Sequence, residues 1–179
     1  MGAKEQGADA TAGRWITIPR TLCFITQGSD VLLLKRSEHK RVFPGLYNGV
    51  GGHIERDEDP FTGAIREMQE ETGLDLTNVR FRGVIHVDAG VETSGIMVFV
   101  VTAEATSRAF RDSDEGTLEW IPLDQINDLP LVEDLPLLLP ILLKQEADPE
   151  PFFAHASYDT NDNLRMIFAN TSPPDRGNS

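Results

Sequence analysis

Two apolar, β-prone runs, Thr21 to Thr26 and Val31 to Leu34, flank Gln27-Gly28-Ser29-Asp30, whose residue types favour a turn, and together they predict a β-hairpin. A charged loop from Lys35 to Arg41 and the stretch Val42-Phe43-Pro44-Gly45 then lead to a glycine-rich segment, Asn48 to Gly52, after which His53 to Glu55 reads as a short strand. Asp59 before Pro60 supplies an N-cap and the favoured first-turn proline, and Gly73 stands where a glycine commonly ends a helix. The helix between them is expected to run about 13 residues, roughly 20 Å. Its Phe61, Ala64, Ile65 and Met68 recur at helical spacing and predict the stripe that faces the core. Beyond it, Val79 to Val87 and Gly95 to Ala105 read as strands, followed by a polar loop from Thr106 to Thr117. Leu118 to Pro122 reads as a short strand, and Leu135 to Gln145 as a more apolar helix entered through Pro136. Phe152 to Tyr158 and Leu164 to Phe168 read as a C-terminal hairpin.

The length of 179 residues suits one domain, expected over 15–170, with residues 1–14 and 171–179 as tails outside it. With 16 Lys+Arg against 29 Asp+Glu the net charge is −13, a field that repels nucleic acid polymers and anionic membrane surfaces. The most apolar window, Leu135 to Leu143, is broken by Pro136 and Pro140 and falls far short of the roughly 20 residues that span a bilayer. Cys23 is the only cysteine, so no internal disulfide forms; in its apolar run it reads as a buried strand residue, and a cytoplasmic location fits. His39, His53, His86 and His155 show no paired ligand spacing and give no support for zinc.

The first helix contains one arrangement that local physics disfavours. Glu67 lies at i,i+3 from Glu70 and at i,i+4 from Glu71, and like charges so spaced cost about 0.2 to 0.5 kcal/mol per pair. They also occupy the half of the helix nearest the negative end of its dipole. Violations of this kind concentrate at functional sites. Clustered carboxylates are the hard oxygen donors that Mg²⁺, or Mn²⁺ in its place, requires, and the glycines at 49, 51 and 52 allow a backbone carbonyl to approach the same ligand.

Read as one unit, Gly52 to Leu74 resembles the Nudix box, G-x5-E-x7-R-E-U-x-E-E-x-G-U, and each specified position matches: Gly52, Glu58, Arg66-Glu67, Met68, Glu70-Glu71 and Gly73-Leu74. Chance agreement at the fixed identities is on the order of 10⁻⁸ per start position. The resemblance implies an α/β (α+β) Nudix fold, a mixed β-sheet sandwiched between helices, here with an added C-terminal β-hairpin. It also implies Mg²⁺-dependent hydrolysis of a small nucleotide at a phosphoric anhydride bond. By that resemblance Glu67 and Glu71 bind the metal with the Gly51 carbonyl, Glu70 binds metal or orients water, and Glu115 is a further candidate ligand. Arg66 is expected to orient Glu67 or Glu58 by a salt bridge, and Glu58 to be structural.

Within the family the chain is most similar to the subgroup that hydrolyses oxidised purine nucleoside triphosphates to the monophosphate and pyrophosphate. The similarity rests on Tyr47-Asn48-Gly49-Val50-Gly51-Gly52, on Ser113-Asp114-Glu115 with Trp120, and on Leu123-Asp124-Gln125-Ile126. It nominates Asn48 and an acidic residue of Glu133-Asp134 for base recognition. Leu135 stands where the second of two adjacent aspartates would fall, so either Glu133 and Asp134 share the role or Asp134 keeps it alone. An ADP-ribose, nucleotide-sugar or dinucleotide substrate is the alternative. A nucleotide sensor without activity is a third reading, against which the full set of box carboxylates speaks.

Overall fold

The computed structural model describes residues 3–8, 11–111, 115–143 and 150–169. The hairpin forms as expected, with β1 (Ile16–Gln27) antiparallel to β2 (Asp30–Arg36) in a register that pairs Gln27 with Asp30. β1 begins at Ile16 and not Thr21, because its N-terminal half finds a second partner, β5 (Ser94–Ala105), alongside which it runs parallel from Ile16↔Ser94 to Thr26↔Glu104. β4 (Leu76–Val87) pairs antiparallel with β5 on one side and parallel with β7 (Phe152–Tyr158) on the other. The C-terminal hairpin closes that edge, β7 pairing antiparallel with β8 (Leu164–Phe168).

The short strand expected over His53 to Glu55 is corrected. β3 is Tyr47–Asn48, paired with β2, and His53 makes only an isolated bridge with Arg20. The chain from 48 to 53 instead crosses from β2 toward the N-terminal half of β1. It is tied there by Cys23 N donating to the Val50 carbonyl (2.7 Å) and Thr21 N to that of Gly52 (2.9 Å). β6 (Gly116–Pro122) adds to β2, which completes an eight-stranded mixed sheet.

Helices cover the two faces. α1 (Pro60–Thr72) starts where Asp59 Oδ1 accepts from Phe61 N (2.8 Å) and Thr62 N (3.0 Å), and it stops at Gly73 in the left-handed region (φ 69°). Ala64 and Met68 are fully buried against Cys23, Ile25, Leu34 and Val101, whereas Phe61, expected in the same stripe, is 40% exposed. Gly63 and Thr72 are buried with Ala64 and Met68, so the face in contact is rotated away from Phe61.

α2 (Leu135–Leu142) covers the opposite face with Leu135, Leu138, Leu139 and Leu142, each burial contributing about 1.5 to 3 kcal/mol. Pro140 breaks the helix's internal hydrogen bonding. Arg82, only 7% exposed, compensates at the other end by donating to the carbonyls of Leu142 (2.7 Å) and Ile141 (3.1 Å). Residues 144 and 145 of the expected helix lie outside the described residues, as do Ser113, Asp114, positions 147–149 and the tail from 171. In the N-terminal segment expected to be a tail, Ala3–Gln6 form a 3₁₀ turn. Among the described residues no helix is long and apolar enough to cross a membrane.

Candidate active site

α1 is set against β1, and the 50–54 segment runs between them, so the acidic residues of the helix divide according to what lies opposite. Glu67 turns inward: its carboxylate lies so close to the Gly52 Cα that a Cβ there would stand 2.6 Å from Oε1. Glu71 also turns inward, accepting from Gly51 N (3.4 Å). Gly51 holds φ 138°, a conformation side chains resist, and its Cα abuts the Thr21 carbonyl. Thr21 Oγ1 accepts from Gly52 N (3.2 Å). The glycine rim is thereby fixed to the sheet on one side and touches two carboxylates on the other.

Glu70 departs from the expected convergence of three carboxylates. Its side chain is 61% exposed and turned to Arg66 Nη1 (2.9 Å), and among the described residues no three acidic, histidine or cysteine side chains form a ready metal cage. Arg66 is the reason. Its guanidinium donates through Nε and Nη2 to both oxygens of Glu58 (3.0 and 2.7 Å), through Nη1 to Glu67 (3.0 Å) and Glu70, and through Nη2 to the His53 carbonyl (3.1 Å). The expected orienting salt bridge is thus found with both Glu67 and Glu58. Arg66 and Glu55 N hold the Glu58 carboxyl below the usual range, and Glu58 in turn holds the guanidinium protonated.

Burial pushes Glu71 up to about 7, opposed by the Gly51 amide and reinforced by the charges of Glu67 and Glu115, with Arg36 acting the other way. Two inward carboxylates with too little positive charge around them, beside a backbone carbonyl free of Cβ crowding, are a donor set that fits a divalent cation. Glu115, the further candidate, is half-exposed and engaged by Lys40 Nζ (2.6 Å), with Arg36 at 3.8 Å.

The linkage of Glu71 has a definite sign. Because its folded pKa lies above the unfolded carboxylate value near 4.3, the contribution of Glu71 to the stability of the metal-free protein is fully present below that value and is lost as pH rises through about 7. Melting curves in a chelator are expected to show Tm falling between pH 5 and pH 8. Added Mg²⁺ should raise Tm most at the alkaline end, where no proton competes for the carboxylate. A Glu71→Gln variant should have a flatter profile and no metal-induced rise; an undiminished rise would remove Glu71 from the donor set.

Of the base-recognition candidates, Glu133 and Asp134 lead into α2, whereas Asn48 pairs with Leu34, which packs on the α1 face. Tyr47 N donates to the Pro130 carbonyl (2.9 Å) and Val132 N to that of Tyr47 (3.0 Å), which draws 130–134 alongside Asn48. Asn48 Oδ1 accepts from Gly49 N (2.8 Å). Glu133 is exposed, while Asp134 is half-buried, with Oδ1 enclosed and without a hydrogen-bond partner among the described residues. Burial pushes Asp134 up, and after burial the charges of Glu133 and Asp134 push Tyr158 up. On β1, beside β5, Ile16 and Ile18 remain 48% and 44% exposed.

Three features escaped the sequence reading. The pairing of Glu115 with Lys40 and Arg36 is long-range. His86 and His155 are in register on parallel strands with ring centroids 5.7 Å apart, beside Trp15 in a separate cavity of about 490 Å³. Arg20 shares the β1 face of Leu22 and Phe24, and its signal was a lone charge inside an apolar run.

A family model for the NUDIX domain matches residues 17–140, and the chain belongs to the Nudix hydrolase family, whose members are enzymes that generally use a divalent metal. It is 30% identical over 128 residues to an uncharacterized Nudix hydrolase of Bacillus subtilis, covering 69% of this chain and 78% of that protein. It is 29% identical over 145 residues to the oxidized purine nucleoside triphosphate hydrolase of Mus musculus, covering 80% of this chain and 88% of the relative. Among solved structures, a mutator MutT protein from Bacillus halodurans superposes with a TM-score of 0.71 at 23% identity, covering 84% of this chain and 97% of the other.

Proposed function

We propose that this chain is a pyrophosphohydrolase that converts a purine nucleoside triphosphate, normal or oxidised, to the monophosphate and pyrophosphate. The observation that carries the reading is that two inward carboxylates of a complete Nudix box, Glu67 and Glu71, meet the Gly51–Gly52 rim. The name of the Mus musculus relative supports the purine triphosphate assignment.

Glu67, Glu71 and the Gly51 carbonyl would hold Mg²⁺, or Mn²⁺ in its place. The bound cation supplies charge neutralisation on the phosphate oxygens and a lower pKa for water. Arg66 keeps the Glu67 and Glu70 carboxylates aimed. Glu70, the exposed member of the set, is positioned to take a proton from the attacking water, with Glu67 as ligand; the reverse assignment uses the same atoms. No covalent intermediate with the protein is required.

A hydrolysis screen tests the reading. Normal and oxidised triphosphates, ADP-ribose, NADH and dinucleoside polyphosphates would be incubated with Mg²⁺ and each product identified. Purine triphosphates should give the highest kcat/KM with pyrophosphate as co-product; preferred turnover of ADP-ribose to AMP and ribose phosphate would replace the proposal, and no turnover of any substrate would favour a binding protein.

A further inference from the structure

The sheet is covered unevenly. On the α1 side the packed cluster draws on β1, β2, β5, β6 and the start of β4, and it takes no residue from β7 or β8. Val98, Ile85, Ala154 and Phe168 stand in one transverse register row and pack toward α2, so by alternation the rows on either side of it face away from α2. One of those rows is Met97, His86, His155 and Ile167; the other is Phe99, Val84 and Phe153. Phe153 and Ile167 are 54% and 67% exposed, His155 is exposed, and the other four are half-buried. Trp15, 36% exposed, closes one end against the His86 ring.

Large apolar side chains left in water in one patch mark a contact surface. The chain has no apolar segment of its own to lay there: of positions 1–2, 9–10, 112–114, 144–149 and 170–179, which lie outside the described residues, only Met1 is a large apolar residue. Charge points to a second copy. The chain carries −13 overall with 29 acidic residues, yet β4, β7 and β8 contain none of them, and Asp88 and Glu92 stand at the border of the patch in the wall of the cavity beside Trp15. A basic partner would be drawn to the acidic remainder of the surface, whereas two copies that repel each other elsewhere can meet here without opposing like charges. With Trp15, Val91 and Arg165 at its margins, the patch leaves on the order of 700 Å² accessible, close to the roughly 800 Å² that a standard interface takes from each partner.

We infer that this face of β5, β4, β7 and β8 is the interface of a homodimer, in which two copies pack sheet on sheet about a two-fold axis. Each Phe153 and Ile167 then meets the same patch of the other copy. Sedimentation velocity from micromolar to hundreds of micromolar chain would be run on wild type, Phe153→Glu and Ile167→Glu. Leu137→Glu is the control, since Leu137 is 44% exposed on α2, across the sheet. Melting curves of dilute samples establish that each variant folds.

Wild type should pass from 19.8 kDa to twice that mass with a Kd of about 1 to 100 µM. The dimer should tighten as salt rises, because salt screens the repulsion between the two acidic chains while the contact itself is apolar. Phe153→Glu and Ile167→Glu should each raise Kd at least about tenfold, since each places an unpaired charge in the contact, and Leu137→Glu should leave it unchanged. Both patch residues are exposed in the single chain, so the Tm of dilute samples should move little; should one variant fail to fold, the other carries the test. A monomer at every concentration and salt would overturn the inference and leave the face to a different partner. So would a dimer that neither patch variant weakens, one that Leu137→Glu weakens as much, or one that added salt dissociates.

Discussion

Replacing Glu67 by glutamine is expected to lower kcat by about 10²- to 10⁴-fold, since the change removes either a ligand of the cation or, in the reverse assignment, the acid-base group. The substitution keeps size and shape, and the amide oxygen can still accept from Arg66 Nη1, now 3.0 Å from the carboxylate. What it removes is one negative charge at the point where Gly52, Arg66 and Glu71 come together. Stability should rise slightly or hold in the absence of metal, because Glu67 is one of the charges that push Glu71 up. Pyrophosphate release and Tm in chelator, measured on the same preparations, separate the two effects. A variant retaining more than a tenth of wild-type kcat would mean that Glu67 serves the fold of the rim and that the chemistry is carried by other carboxylates.

The parts of this protein that were legible in sequence are those whose determinants are local. Asp59, Pro60 and Gly73 bound α1 because capping involves only neighbours within a turn, and the C-terminal hairpin follows from two apolar runs and a polar turn. The box pattern was legible because one helix carries most of it. The direction Glu70 takes was not legible, because helical spacing gives the face on which a carboxylate starts, not the partner toward which it turns. Arg66 binds four acceptor groups at once and draws Glu70 outward. β3 was displaced from its expected place because Tyr47 and Asn48 pair with β2 while the glycines beyond follow β1, a choice made by long-range register. The His86–His155 juxtaposition likewise depends on a parallel pairing of strands far apart in the chain.

The glycine rim gives the sharpest separation of fold from function, through a comparison of Gly52→Ala with Gly51→Ala. A methyl group on residue 52 would meet the Glu67 carboxylate, at 2.6 Å from Oε1 and 2.7 Å from Cδ, which is the far end of a flexible side chain. The chain can accommodate that contact by swinging the carboxylate aside, so the cost in stability should be small. The cost in activity should not be, since a misplacement of about 1 Å can lower rate by about 10²-fold. A methyl on residue 51 would meet the Thr21 carbonyl at 2.5 Å, a backbone atom of a core strand, and residue 51 also holds φ 138°. Neither can yield cheaply, and a loss of roughly 1 to 3 kcal/mol from strain alone is expected. Gly52→Ala should thus keep Tm within a few degrees while kcat falls about a hundredfold, and its KM for the nucleotide should change much less. Gly51→Ala should lower Tm by about 2 to 12 °C, from roughly 1 to 3 kcal/mol at about 2 to 4 °C per kcal/mol for this chain length. If Gly52→Ala retained full turnover, the Glu67 carboxylate would not need its position against the rim, and the role proposed for that pair would fall with it.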